Sequence, residues 1–548
     1  MKTYTVHQDY FASENSIIDI INFSNFSDFK NLRIDNACIN PGGWQSWNPC
    51  TEIFPGKKQP SLTCYGIKQW NSYLVFPQSK YKPSSNIVLG QFISYLRWDN
   101  FYLVLASVGN INGNLPPVQF IFDRKENTIS IEICDKGNSW KTGDITARIE
   151  IFTANSFFEC RDRLLSIFEN QHFKSVSFLG NNPAGWESWY NHYSNINQSL
   201  IYEDLKSLCE TQNLITDGKF SSRIFQIDDG WEKALGDWQI REDRFPDGFK
   251  EITSKIEEKN FIPGLWLAPF IIDSRSETAK LHSDWLLRDK NGKLVPAGYN
   301  PLWGKNGTFY CLDLSCDEVI SHLDNLMNTI INTWGFRYIK LDFLYAGMLY
   351  GDYAQKTASY KIYSRAIKIL TSRTQTTSGS PVAYLGCGAP FELSFSNLPL
   401  SRIGCDTFEK WTNPLLRLLN WNGRNEAYLN VKDTLGHAMW NRIVFMCDPD
   451  VVFIRTQNCT LSENQKFLIA GINTLFGCQL MYSDDPGNEG TAEKKITKQI
   501  LNFIEKYKDE EFGITQFSED YYEIYSKSGK YKGYIYLGKK SAISIEEV

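Results

Sequence analysis

The chain begins MKTYTVHQDYF, without the apolar run that forms the core of a signal peptide. No stretch reaches the roughly 20 apolar residues that a membrane-spanning helix needs. Positive charge is not in excess: 57 Lys+Arg stand against 62 Asp+Glu, for a formal net charge of -5. A mildly acidic chain has no large positive field to hold phosphate backbones, which disfavours a nucleic-acid partner. Histidine is scarce, with 6 in all, and no His-Glu-x-x-His pair exists, so a zinc hydrolase of that type is disfavoured. A Gly-x-Ser-x-Gly elbow is absent. Gly386-Cys387-Gly388 lacks the third glycine of a dinucleotide loop, because Phe391 stands there. The 13 cysteines are an odd number without paired spacing, which reads as reduced thiols rather than a disulfide framework. These absences lead us to expect a cytoplasmic protein with neither a membrane nor a nucleic-acid partner.

Aromatic residues are what the sequence has in quantity. The 548 residues include 16 Trp, 28 Tyr and 35 Phe, 14% of the chain. Trp and Tyr pair a flat apolar face with a polar edge, which suits sugar rings; in β-rich domains the same residues also build cores. The length supports several domains. Residues 1–176 carry short β-like runs, Tyr73–Pro77, Phe101–Ala106 and Ile129–Ile133, split by turn residues such as Asn112-Gly113-Asn114. That pattern predicts an N-terminal β-sandwich. Over 177–488 the runs Arg223–Ile227, Ile262–Ala268, Tyr338–Asp342, Val382–Gly386 and Arg402–Asp406 alternate with helical segments near 198–213, 247–259, 317–334 and 354–373. In the third of these segments Val319, Ile320, Leu323, Leu326, Ile330 and Ile331 fall near helical spacing. Repeated β-α units predict a central (β/α)8 TIM barrel. A doubly wound sheet is the weaker alternative, since no Gly-rich phosphate loop follows a strand. Residues 489–548 predict a linking helix near 491–508 and a small C-terminal β-domain, with Tyr521–Tyr525 and Tyr534–Leu537 as strands. The fold class is multidomain α/β plus all-β.

Polar groups cluster where the apolar runs end. They are Trp186 with Trp189-Tyr190, Asp228-Asp229, Trp266, Lys340 with Asp342, Cys387, and Arg402 with Asp406. The C-terminal strand ends of a (β/α)8 barrel open into one mouth, so these residues would converge. A single Asp at a strand end is more often a helix cap or a turn residue. The whole series is not explained that way. Carboxylates with aromatics, and no metal set or nucleotide loop, suit glycoside chemistry. One carboxylic acid protonates the leaving oxygen, and a second carboxylate attacks the anomeric carbon or activates water. Cys387 has no His within short sequence reach, so lining or burial fits it better than a nucleophilic role.

The series of motifs resembles the α-galactosidases (melibiases) of glycoside hydrolase family 36, compact bacterial type. The stretches are Gly185–Tyr190, Gln226–Trp231, Gly236–Trp238 with Phe245–Gly248, Gly264–Phe270, Lys340–Gly347, Gly386–Pro390, Arg402–Asp406 and Asp448–Asp450. Gly43-Trp44-Gln45-Ser46-Trp47 is similar to an N-terminal loop that leans over the pocket. The resemblance implies Asp342 as nucleophile and Asp406 as acid/base. It implies Asp228 and Asp229 on the galactose 4- and 6-hydroxyls, which requires the chain to turn at Gly230. Trp266 would pack on the sugar, Cys387 and Arg402 would stand near the 2-hydroxyl, and Trp189, Tyr190, Trp44 and Trp47 would wall the pocket. Lys340, two residues from Asp342, would face the interior with it and keep it anionic. Cys405 and Thr407-Phe408 depart from the family pattern on the leaving-group side. The implied activity is retaining hydrolysis of small α-galactosides such as melibiose or raffinose, with no metal or organic cofactor, in a chain that could form a homo-oligomer. Transglycosylation or α-N-acetylgalactosaminide cleavage would use the same scaffold. A non-catalytic sugar-binding protein is disfavoured because Asp342 and Asp406 are both present.

Overall fold

Strand residues alternate between two faces, and in the N-terminal region both faces meet apolar surroundings. The computed structural model describes residues 17–23, 31–60, 81–109, 115–133, 147–168, 173–300, 303, 307–419 and 424–548. The run Tyr73–Pro77 and the turn at Asn112–Asn114 lie outside these residues. Eight strands come first: β1 (Ile17–Asn22), β2 (Cys38–Asn40), β3 (Ile87–Gln91), β4 (Ile93–Trp98), β5 (Phe101–Ser107), β6 (Val118–Asp123), β7 (Thr128–Ile133) and β8 (Ile149–Ala154). They form two antiparallel sheets, ordered β1-β7-β6-β3 and β2-β4-β5-β8. Leu103 and Leu105 of β5 join Leu96, Ile149 and Ile151 in a core shared with Phe120, Phe122, Ile129 and Ile131 of the facing sheet. Tyr102, Val104 and Ala106 of the same strand point the other way, into the core of the rest of the molecule. This is why Phe101–Ser107 reads as a continuous apolar run rather than an alternating one.

The barrel follows. Its strands are β9 (Pro183–Glu187), β10 (Ser222–Ile227) and β11 (Ile262–Leu267). An excursion of β12 (Ile271–Ile272), β13 (Pro296–Tyr299) and β14 (Thr308–Cys311) intervenes. Then come β15 (Tyr338–Leu341), β16 (Ala383–Gly386), β17 (Leu400–Arg402), β18 (Met446–Asp448), β19 (Val451–Val452) and β20 (Leu480–Tyr482). The sheet order is β18-β17-β16-β15-β11-β10-β9-β20-β19. Its two ends, β18 and β19, are successive pieces of one strand that breaks at Pro449-Asp450, where Asp450 has φ 73°. The first piece pairs with β17 and the second with β20, which pairs with β9. Eight strands therefore close on themselves, and the break is the point of closure.

Helices Gln198–Glu210, Gly248–Glu258, Asp317–Asn328 and Ser359–Leu370 lie within the segments read as helical, and the third continues through a π-helical turn to Trp334. After β16 there is no full crossover helix, only the turn Phe391–Ser394. The N-terminal sandwich packs there. Phe92 meets Phe395 at 5.4 Å and Trp440 at 5.6 Å between ring centroids, and the Ser107 hydroxyl bonds the Glu392 carboxylate. After helix Thr491–Tyr507 the chain ends in an antiparallel sheet of β21 (Phe512–Gln516), β22 (Tyr521–Ser526), β23 (Tyr531–Tyr536) and β24 (Ala542–Glu547). Arg97 ties the sandwich to this sheet: its guanidinium grips both oxygens of Glu52, at 2.7 and 2.6 Å, and donates to the Gln516 carbonyl at 2.7 Å. Among the described residues no helix is long and apolar enough to cross a membrane.

Candidate active site

Asp342 stands one residue past β15 and is nearly buried. Trp266 donates its indole N–H to Oδ2 at 3.0 Å, and the Phe343 amide donates to Oδ1 at 2.7 Å. Both donors are fixed N–H groups, so each carboxyl oxygen is held as an acceptor. Phe343 has φ 53°, a conformation that a non-glycine residue keeps only when its surroundings enforce it. Its ring is enclosed by Trp47 at 5.6 Å, Trp303 at 5.3 Å and Phe309 at 5.3 Å.

Asp406 follows β17 by four residues, and its side chain is 33% exposed toward the mouth. Arg402 lies beneath it, donating to Asp448 at 2.8 Å and Asp450 at 2.8 Å, and more loosely to Asp406 at 3.4 Å. The broken seventh strand supplies both of the nearer carboxylates. Arg402 is thus largely neutralised before it reaches Asp406. Burial, reinforced by the negative charges of Asp450 and Asp342 against Arg402 and Lys340, pushes the Asp406 carboxyl up to about 7.

Strand β10 ends at Ile227, and Gly230, at φ 111°, turns the chain so tightly that a Cβ there would sit 2.5 Å from the Ser194 carbonyl oxygen. That turn lets Asp228 and Asp229 both belong to the site. Asp228 Oδ2 accepts from Lys340 Nζ at 2.9 Å and from Gln226 Nε2 at 2.8 Å. Asp229 Oδ2 accepts from the Trp303 indole at 3.0 Å. The ammonium of Lys340 lies between Asp228 and Glu187, the latter at 3.6 Å. Spacing alone pairs Lys340 with Asp342, but the geometry gives its direct contacts to these other two carboxyls. Trp266, expected on the sugar, is the indole that holds Asp342.

Cys387 is buried below the carboxylates, and burial with the Asp342 charge pushes its thiol well above the ordinary range. It is a buried, neutral thiol. Tyr190 is also buried, and its phenol donates to Asp450 at 2.9 Å. Trp189 is half-buried against Tyr193, 5.3 Å between ring centroids. The loop carrying Gly43–Trp47 is pinned to the segment after β16: Gly388 N–H donates to Ser46 Oγ at 2.8 Å and Phe391 N–H to the Trp44 carbonyl at 2.8 Å. Trp47 turns toward Phe343, whereas Trp44 lines a small apolar cavity with Phe92, Met348 and Pro390. Gly388 has φ 58°, and a Cβ on it would meet the Trp47 ring at 2.3 Å. Gly388→Ala is expected to destabilise the protein by about 1–3 kcal/mol, read as a lower melting temperature. An unchanged melting temperature would mean that Trp47 is not held against this turn.

The sequence reading missed Trp303, Glu187 and the supporting role of Asp450. Glu187 ends β9 and shares Gln226 with Asp228, accepting at 3.0 Å. Burial pushes its carboxyl up to about 8, although Lys340 opposes this. Its position inside the motif Gly185–Tyr190 was the available signal.

Residues 165–361 match the family model described as Melibiase. A probable α-galactosidase C from Aspergillus flavus is 28% identical over 187 residues, 32% of this chain and 23% of that protein. The aligned part thus spans about a quarter of the length of such curated relatives. TtGalA, an α-galactosidase from Thermus thermophilus solved in complex with stachyose, superposes with a TM-score of 0.68 at 25% identity, covering 86% of this chain and 91% of that chain. The GH36 α-galactosidase AgaA from Geobacillus stearothermophilus shares the fold at 14% identity, with a TM-score of 0.59 over 91% of this chain and 66% of that one.

Proposed function

We propose that this chain, which carries a melibiase domain on the fold of the family 36 α-galactosidases, is a retaining α-galactosidase acting on small α-galactosides of the melibiose and raffinose type. The observation that carries the reading is the contrast between two carboxyls at one mouth. Asp342 presents lone pairs held by two N–H donors. Asp406 is pushed up to about 7, so it holds a proton near neutrality. In the first step an Asp342 oxygen bonds to the anomeric carbon as the glycosidic C–O bond breaks. Asp406 gives its proton to the departing oxygen. In the second step the Asp406 carboxylate takes a proton from water. The water oxygen bonds to the anomeric carbon, and Asp342 leaves with configuration retained.

Asp228 and Asp229 supply acceptors at fixed places for the 4- and 6-hydroxyls. A sugar without the axial 4-hydroxyl would leave one acceptor position of these buried carboxylates unfilled, which is how such a site rejects glucose. The test is a panel of nitrophenyl glycosides: α- and β-galactoside, α-glucoside, α-mannoside and α-N-acetylgalactosaminide. Turnover of the α-galactoside alone is the expected result. Turnover of the N-acetylgalactosaminide instead would place more room beside Cys387 and Arg402 than the reading allows. An inert panel would count against hydrolysis itself.

A further inference from the structure

An acid that protonates a leaving oxygen must face the leaving group, so the rim beside Asp406 is where the second sugar would lie. Three barrel loops meet there. Tyr193, just after β9, has φ 49° and ψ -142°, a conformation costly for a side-chain-bearing residue. Tyr193 is 38% exposed, its ring edges against Trp189, and its hydroxyl donates to Glu409 Oε1 at 2.9 Å. Glu409 comes three residues after Asp406 and is nearly buried. Arg455, following β19, donates to the same Oε1 at 2.7 Å and to the Tyr190 carbonyl at 2.9 Å. The other oxygen, Glu409 Oε2, has no hydrogen-bond partner among the described residues, yet it is not sealed from solvent. A carboxylate anchored through one oxygen, with the second left to accept, stands beside an exposed ring held at a backbone cost.

We propose that Tyr193 and Glu409 form the leaving-group and acceptor site, and that it takes a hydroxyl-rich sugar rather than an apolar aglycone. The Tyr193 ring packs on the sugar face, and Glu409 Oε2 accepts a sugar hydroxyl. Neither residue touches the galactosyl half. The inference rests on the α-galactosidase reading. It adds that recognition of the second sugar is separable from the chemistry.

The test compares wild type, Tyr193→Gly and Glu409→Gln on melibiose and on α-galactosyl fluoride, whose leaving group is too small to reach the rim. Glycine suits φ 49° and glutamine keeps an oxygen for Tyr193 and Arg455, so both variants should fold. Expected is a loss of about tenfold or more in kcat/KM on melibiose, with fluoride hydrolysis unchanged. The galactosyl-enzyme made from the fluoride should also transfer less galactose to added glucose in the variants, relative to hydrolysis. Equal losses on both substrates would make the pair a structural brace and overturn the proposal, as would no loss on either. A wild type inert to the fluoride would instead overturn the α-galactosidase reading beneath it.

Discussion

Asp342→Gly should lower turnover of a nitrophenyl α-galactoside by about 10⁴-fold or more, and azide should restore part of it. Asp342 is the only carboxyl in the described site whose two oxygens are both held by main-chain and indole N–H groups. Glycine removes the nucleophile and leaves a space of carboxylate size at the anomeric carbon. Azide, a small anion, can occupy it and attack from the same side. The product is then β-galactosyl azide, formed with a single inversion. That product matters more than the rate loss, because a merely unfolded variant gives no azide adduct. The variant leaves the Trp266 and Phe343 N–H groups without their acceptor, a loss of about 1–3 kcal/mol in a buried setting. Asp342→Asn keeps an acceptor for one of them and serves as the folded control. Full turnover by Asp342→Gly without azide would remove the nucleophile assignment.

Much of this arrangement was legible in the sequence, and what was not has physical reasons. Continuous apolar runs placed the barrel strands, and the polar residues at their ends named the carboxylates, because a barrel gathers strand ends whatever their separation along the chain. The helix after β16 could have been doubted from length alone. The 13 residues between Gly386 and Leu400 are close to the minimum of about a dozen for a crossover, which leaves little room for a full helix with its loops. Partners inside the site were less accessible. Spacing places Lys340 and Asp342 on one side of a strand, but not which neighbouring strand offers the closer carboxyl. Asp228 on β10's end and Glu187 on β9 take it. Trp303 lies in an excursion whose flanking residues carry no periodicity, so nothing marked its indole as the donor to Asp229. Trp44 and Trp47, three residues apart in one loop, diverge because the loop is pinned at Trp44's carbonyl and Ser46's hydroxyl. Hydrophobicity cannot express that pinning. Asp450 stands in the motif Asp448–Asp450, but the break of the seventh strand at Pro449, which brings it to Arg402, is not visible in the pattern of residues.

That break leads to the second large expected effect. Asp406 must carry its proton to assist departure, so kcat/KM for melibiose should fall as pH rises through about 7, the value to which its carboxyl is pushed. Its side chain is a third open to the mouth. A bound galactoside would cover that side and disfavour the charged form further, so the fall in kcat should lie at higher pH than the fall in kcat/KM. Asp406→Ala should reduce melibiose turnover by about 10²–10⁴-fold. It should spare first-step reactivity toward a dinitrophenyl galactoside, whose leaving group needs no proton. The alkaline fall should vanish with the side chain. Asp450 separates this account from simple burial. Its charge raises the Asp406 carboxyl, and it also occupies Arg402 at 2.8 Å. Asp450→Asn removes the repulsion and frees Arg402 to favour the Asp406 carboxylate. Both changes lower the carboxyl, so the alkaline limb should move to lower pH. A limb that stayed in place, or moved upward, would show that burial alone sets the acid. Arg402 would then have no part in poising it.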